Sequence, residues 1–291
     1  MTSAYVVKTP KFKYILKIRE IVYPIHKLNY LVGEERGPCL EASVYMPDID
    51  ERFQYLISEA HLYRIDALKE CMIDSHEDTH ASFGTELFYS FLNILKVNHP
   101  YVTTVSLQDS SYLPCSRDDT YILDLLTYSI ACYGKTWYEL KANAYLESEK
   151  DQTRYNQEIS KYMTSVPKDT LQFERFLDKM RKNDFTIEKV YPHLSQLQTV
   201  YETAASFPEV FQYLNTLVTK TDKCKFYKVW LEQFIGSFIT IKRDWKINIT
   251  ENAILGNVLN ISTKRQMSQR TQRKTPGVGK ALPCATPVLN I

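Results

Sequence analysis

The sequence predicts an α/β (α+β) protein: a mixed sheet flanked by helices, with a mostly helical region and a basic tail appended. Three observations predict it. The first 75 residues are built of β-branched and aromatic runs punctuated by Gly and Pro. Residues 60–146 then read strand, loop, helix, strand, helix, the alternation of an α/β unit. Between residues 148 and 245 the pattern changes to apolar residues at helical spacing, broken at Pro167, Pro192 and Pro208.

Residues 13–23 are rich in β-branched and aromatic residues and stop at Pro24, which reads as a strand. Gly33 and Gly37-Pro38 punctuate a hairpin-like connection into a strand over 40–45. Further extended stretches are expected over 53–62 and 63–73, although Ala67-Leu68-Lys69-Glu70 would also suit a helix. After a polar loop, 74–82, residues Leu87, Phe88, Phe91, Leu92 and Leu95 form one apolar stripe at helical spacing. Ser82 or Thr85 can cap this helix, Glu86 suits the positive end of its dipole, and Asn98-His99-Pro100 ends it. A strand over 101–107 follows. Asp118-Asp119 are good caps for a helix carrying Ile122, Leu126 and Ile130, which Gly134 stops as a residue suited to left-handed backbone.

In the second half, Phe173, Phe176, Leu177 and Met180 fall at helical spacing, as do Phe226, Trp230, Phe234, Ile235 and Phe238. Tyr227 and Trp230 read as core of this half. From about residue 262 the chain is rich in Ser, Thr, Gln, Arg and Pro with little to bury, the composition of a flexible segment. The organisation expected is therefore an α/β domain over 1–147, a helical region over 148–250 and a basic tail over 251–291.

Composition excludes several classes. The chain of 291 residues is 44% hydrophobic and 13% aromatic, enough for a real core and too apolar for a disordered chain. No window approaches 18 uninterrupted apolar residues, so no membrane span is expected. Residues 1–5 lack the basic-then-apolar layout of a secretory signal, which points to the cytoplasm. Without such a signal the sequons at Asn248 and Asn260 read as chance matches. The six cysteines carry no Cys-x-x-Cys pair and read as reduced, mostly buried thiols. Six of the 36 basic residues and none of the 34 acidic ones lie beyond Glu251, so residues 1–251 have a net charge of −4 and the tail +6.

The most informative stretch is Thr79-His80-Ala81-Ser82-Phe83-Gly84-Thr85-Glu86-Leu87. It resembles the acyl-CoA pyrophosphate loop of the GNAT N-acetyltransferases, Gln/Arg-x-x-Gly-x-Gly/Ala followed by a helix. Thr79 stands at the Gln/Arg position, Ser82 at the first Gly and Gly84 at the second. In such a loop, backbone amides and a helix N-terminus face a phosphate, and glycines allow close approach. The later segment Gly134-Lys135-Thr136-Trp137-Tyr138-Glu139 is similar to a family segment whose Tyr protonates the leaving CoA thiolate, but the family's following Gly-Phe is replaced by Leu140-Lys141. The resemblance covers about residues 13–146. It implies an enzyme moving acetyl from acetyl-CoA to an amine, with Ala81, Ser82, Phe83, Gly84 and Thr85 binding the cofactor and Tyr138 catalytic. Residues 105–112 taken with 134–138 also resemble GNAT-like proteins of large nucleocytoplasmic DNA viruses. That implies a host-cytoplasmic or virion-borne protein, and admits an alternative: a non-catalytic virion or scaffold protein that keeps the fold and binds neighbours through its helical half and tail.

A rival motif overlaps the same loop. His76-Glu77-Asp78-Thr79-His80 matches His-Glu-x-x-His, in which two His one turn apart hold zinc. That motif belongs within an amphipathic helix, whereas Asp74-Ser75 and Asp78-Thr79 are loop formers, so no metal is expected. An amine acceptor needs a general base. Asp109, Glu59 and Glu70 are conceivable, and the sequence does not choose between them. The tail over 262–291 is expected to be inert or to order along a protein partner; six charges without aromatics make nucleic acid the weaker partner.

Overall fold

The computed structural model describes residues 2–9, 12–34, 37–65, 71–74, 83–115, 122–219, 221–250 and 288–290. The architecture is mixed α/β, as the sequence predicts. The chain divides into two compact units, one of residues 1–107 and 247–291 and one of residues 108–246. This division differs from the boundary expected at 147/148.

The first unit is a sheet with one long helix. Its strands are β1 (Thr2–Lys8), β2 (Lys13–Ile21), β3 (Lys27–Glu34), β4 (Gly37–Tyr45), β5 (Glu59–Ile65), β6 (Met72–Asp74), β7 (Thr104–Gln108) and β12 (Val288–Asn290). They run in the order β7-β5-β4-β3-β2-β1-β12, with β6 also pairing β2. The ladders from β1 to β5 are antiparallel, while β5 pairs with β7 in parallel, Glu59 opposite Thr104 through Leu62 opposite Leu107. The sixteen-residue α1 (Phe83–Asn98) lies between β5 and β7 in the chain, the crossover that a parallel pair requires. Its buried stripe of Phe83, Leu87, Phe88, Phe91, Leu92 and Leu95 packs on one sheet face. The Phe83 ring meets Phe12 at 5.2 Å and the Phe91 ring meets Tyr30 at 6.0 Å, both edge-on. At the β3–β4 hairpin the register shifts at Gly33, whose φ of +96° only glycine adopts without strain.

The second unit is helical. It begins with the ribbon β8 (Tyr112–Pro114) and β9 (Ile122–Asp124), then α2 (Leu125–Tyr133), α3 (Trp137–Ala142) and β10 (Tyr145–Leu146). There follow α4 (Glu149–Tyr162), α5 (Val166–Thr170), α6 (Phe173–Met180), α7 (Asp184–Val190), α8 (Leu194–Thr203), α9 (Phe207–Leu214), α10 (Lys223–Tyr227) and α11 (Leu231–Gly236). The chain leaves through β11 (Asp244–Asn248), whose Trp245 and Lys246 pair with Leu146 and Tyr145. The core is aromatic. Phe176, fully buried, lies within 6.5 Å, centroid to centroid, of the rings of Tyr201, Phe207, Phe211, Trp230 and Phe234.

Several expectations are corrected. The cap of α2 is Asp124, whose carboxylate accepts from Leu126 and Thr127 N–H, and Ile122 belongs to β9, while Asp118-Asp119 lie outside the described residues. Gly134 stops this helix as read, at φ +63°. Thr85 lies inside α1 and is not its cap. Residues 51–56 form a 3-10 turn rather than a strand, capped by Asp50, and β5 ends at Ile65. Pro167 and Pro208 sit in the first turns of α5 and α9, where the missing N–H costs nothing, so they start helices. Four of the six cysteines are not free thiols: Cys39 is bonded to Cys71 and Cys115 to Cys224, while Cys132 is a buried thiol. No helix among the described residues is long and apolar enough to cross a membrane.

Candidate functional site

Ala81, Ser82, Glu70, the His76–His80 motif and residues 251–287 of the tail lie outside the described residues. Phe83, Gly84 and Thr85 form the first turn of α1, in the first unit, where backbone N–H groups lack intrahelical partners. The Phe83 side chain is wholly buried against Phe12 and Tyr14, so it anchors the turn and only its backbone can serve a ligand.

Tyr138 belongs to the second unit and is the second residue of α3. That helix carries a reciprocal cap: Thr136 Oγ1 accepts from Glu139 N–H at 3.1 Å, and Glu139 Oε2 accepts from Thr136 N–H at 2.7 Å. Tyr155 O–H donates to the same Glu139 Oε2 at 2.7 Å. Tyr138 is therefore rigidly placed and only 6% exposed. Burial pushes its phenol well above the usual range, and the nearby Asp109 carboxylate adds to the shift.

Asp109 is the candidate base that the structure builds around. It is fully buried just after β7. Its Oδ1 accepts from Ser111 N–H at 3.1 Å and from the Ser111 hydroxyl, whereas Oδ2 is buried without a hydrogen-bond partner. Burial raises its pKa, the Ser111 hydrogen bonds oppose that shift, and Asp124 and Arg243 act in opposite directions. Its backbone is pinned to Arg243 twice: Asp109 N–H donates to the Arg243 carbonyl at 2.7 Å, and Arg243 Nη1 donates to the Asp109 carbonyl at 2.9 Å. Arg243 Nη2 also bonds Asp124 Oδ2, the carboxylate that caps α2.

Beside this cluster a cleft of about 420 Å³ opens, within the size range of small-molecule sites. Its charged walls are Asp124, Lys228, Glu232 and Arg243, and its apolar surface comes from Ile122, Leu123 and Leu231. Thr127, 1% exposed, lines the cleft with a buried Oγ1 that has no hydrogen-bond partner. An unpaired buried hydroxyl costs about 1–3 kcal/mol, so it marks a place where a further group would be accommodated.

A separate polar row crosses the sheet of the first unit. Asn29, Ser43, His61 and Ser106 stand opposite one another on β3, β4, β5 and β7. Ser43 O–H donates to Asn29 Oδ1 at 2.9 Å, and Ser106 Oγ bonds His61 Nδ1 at 2.7 Å. Sequence reasoning missed this row and the cleft alike. The alternation of polar and apolar residues in β4, β5 and β7 was the available signal for the row. The cleft joins residues of 110–127 to residues of 227–243, and nothing local announces that. Among the described residues no group of His, Cys, Asp and Glu is arranged to hold a metal ion. No protein-family model, curated protein or solved structure matches the chain.

Proposed function

We propose that the chain is a GNAT-like N-acetyltransferase that moves an acetyl group from acetyl-CoA to an amine. The observation that carries this reading is the β5–α1–β7 crossover: one parallel pair joined to an antiparallel ladder, with a helix N-terminus directly after the loop that resembles an acyl-CoA loop. On this reading the backbone of residues 81–85 holds the pyrophosphate. The amine nitrogen attacks the thioester carbonyl, a general base takes its proton, and the C–S bond breaks. Tyr138 gives its proton to the departing thiolate, against the burial that raises its pKa and makes it a weaker acid than a free phenol.

A second reading is favoured by the 6% exposure of Tyr138, which leaves the phenol little room to meet a thiolate. The chain is then a non-catalytic virion or scaffold protein, its helical half and the 262–291 tail binding protein neighbours rather than nucleic acid. On either reading it acts in the host cytoplasm or the virion. The two disulfides favour the virion, because cytosolic reductants keep thiols reduced.

Calorimetric titration with acetyl-CoA and with free CoA, repeated on Gly84→Glu, separates the two. Micromolar binding lost in the variant supports the transferase. No binding at millimolar ligand overturns it and leaves the scaffold.

A further inference from the structure

We propose that the cleft between the β8–β9 ribbon, α2, α10 and α11 is a binding site for a zwitterionic amino acid with an apolar side chain. The proposal starts from charge. The walls present two carboxylates, Asp124 and Glu232, and two cations, Lys228 and Arg243. Asp124 and Arg243 already face each other as an ion pair, so this part of the wall is close to neutral. Lys228 caps the C-terminal end of α10 and Glu232 lies in the first turn of α11, so these opposite charges enter the cleft from two successive helices.

A ligand with a single charge is poorly served by such a wall. An anion drawn to Lys228 and Arg243 meets Asp124 and Glu232, and a cation drawn to the carboxylates meets the two basic groups. A molecule carrying an ammonium and a carboxylate on one carbon matches both signs at once, and its net neutrality spares it the cost of burying an unpaired charge. Apolar surface supplies the rest of the fit. Ile122, 48% exposed, gives an aliphatic side chain a surface to cover, with the buried Leu123 and Leu231 also lining the cleft. The buried Thr127 hydroxyl, without a protein partner, is available to a carboxylate oxygen or an ammonium hydrogen once the wall adjusts to the ligand.

The site is held in shape from both sides. The Cys115–Cys224 disulfide ties the end of β8 to α10, and Arg243 braces both the Asp109 carbonyl and Asp124. A pre-shaped wall lowers the ordering cost of binding a small ligand. The inference goes beyond acetyl transfer and does not rest on it, because binding requires no acetyl donor.

The test is calorimetric titration of the full, oxidised chain with leucine and phenylalanine, compared with 3-methylbutylamine, which lacks the carboxylate, and 4-methylpentanoate, which lacks the ammonium. The expected result is that at least one amino acid binds and both single-charge analogues bind at least about tenfold more weakly, a difference of about 1.4 kcal/mol. Lys228→Met and Glu232→Gln are each expected to weaken the amino acid by a similar factor while the far-ultraviolet circular dichroism spectrum is unchanged. If a variant fails to fold, the analogue comparison on the parent chain decides alone. Equal affinity for the amino acid and its single-charge analogues overturns the proposal, as does the absence of binding by both amino acids at millimolar concentration. A silent acetyl-CoA titration leaves it standing.

Discussion

The two units of this protein are held together by different physics. In the first, strands from β1 to β5 meet in an antiparallel register, and α1 covers one face with a single apolar stripe. Its order is carried by backbone ladders, and side chains of neighbouring strands meet because the register makes them. In the second, short helices follow one another and the centre is a cluster of interlocked rings around Phe176, Phe207 and Phe234. Here side-chain shape does the work that hydrogen-bond register does in the sheet. The disulfides follow the same contrast: Cys39 and Cys71 close 32 residues of sheet, whereas Cys115 and Cys224 close 109 residues of helical chain. The difference teaches that a sheet needs a local staple at most, while a string of short helices gains most from a long one.

The sharpest break of this contrast is chemical. Chain-entropy arguments give about 5 kcal/mol for the longer disulfide and about 4 kcal/mol for the shorter. The double variant Cys115→Ser/Cys224→Ser is therefore expected to lower the stability of residues 108–246 more than Cys39→Ser/Cys71→Ser lowers that of the first unit. Hydrogen exchange measured peptide by peptide reads both. Equal losses in the two units would show that they unfold as one. Phe176→Ala comes next, at about 3–5 kcal/mol, because removing a ring that touches five others leaves a cavity they cannot fill. Denaturant unfolding followed by tryptophan fluorescence measures it, and a loss below about 1 kcal/mol would deny the ring cluster its role.

The smallest expected effect belongs to the first unit and depends on pH. His99, 5% exposed, sits edge-on to Tyr30 and bonds its hydroxyl, while its Nδ1 lies 3.0 Å from the Tyr101 hydroxyl. Burial lowers its pKa from the ordinary 6.5 to about 4. Between those values the unfolded chain holds the extra proton and the folded chain does not, so stability falls as pH falls from 6.5 towards 4. The loss approaches about 3 kcal/mol near the lower end. Melting the first unit across this window, with His99→Gln as the comparison, checks it: the variant is expected to lose the slope. An unchanged slope in His99→Gln would assign the acid sensitivity to other groups.

The sequence carried the elements whose cause is local. The stripe from Leu87 to Leu95 fixes α1 because five large apolar residues at helical spacing have one way to be buried together. Gly134 ends α2 because its left-handed backbone is cheap only for glycine. What was not legible depended on distant partners. The sequence points to Asp118-Asp119 as caps, whereas Asp124, at the end of the β8–β9 ribbon, caps α2. Cysteine spacing said nothing about pairing, since Cys115 finds Cys224 through the folding of everything between them. The candidate site shows the same split. Tyr138 could be singled out from its neighbours in the chain, and Asp109 was one of three open choices for a base. Arg243, which braces Asp109, Asp124 and the cleft, lies 134 residues from Asp109 and had no local signature.

The first unit is interrupted in the chain: residues 108–246 are inserted between its two parts. The ends of the insert are clasped by its own residues, Asp109 N–H to the Arg243 carbonyl at 2.7 Å, and the chain then resumes in the first unit, where Ile249 N–H donates to the Thr103 carbonyl at 2.9 Å. On the ribosome this sets an order of events. The inserted helices are fully synthesised, and free to close on themselves, before the residues that complete the first unit have emerged. The unit begun first is finished last, and its early strands must wait in an incomplete sheet while more than a hundred later residues are made. The same clasp offers a natural seam, where a short linker joining the two parts of the first unit is expected to leave each one with a continuous chain of its own.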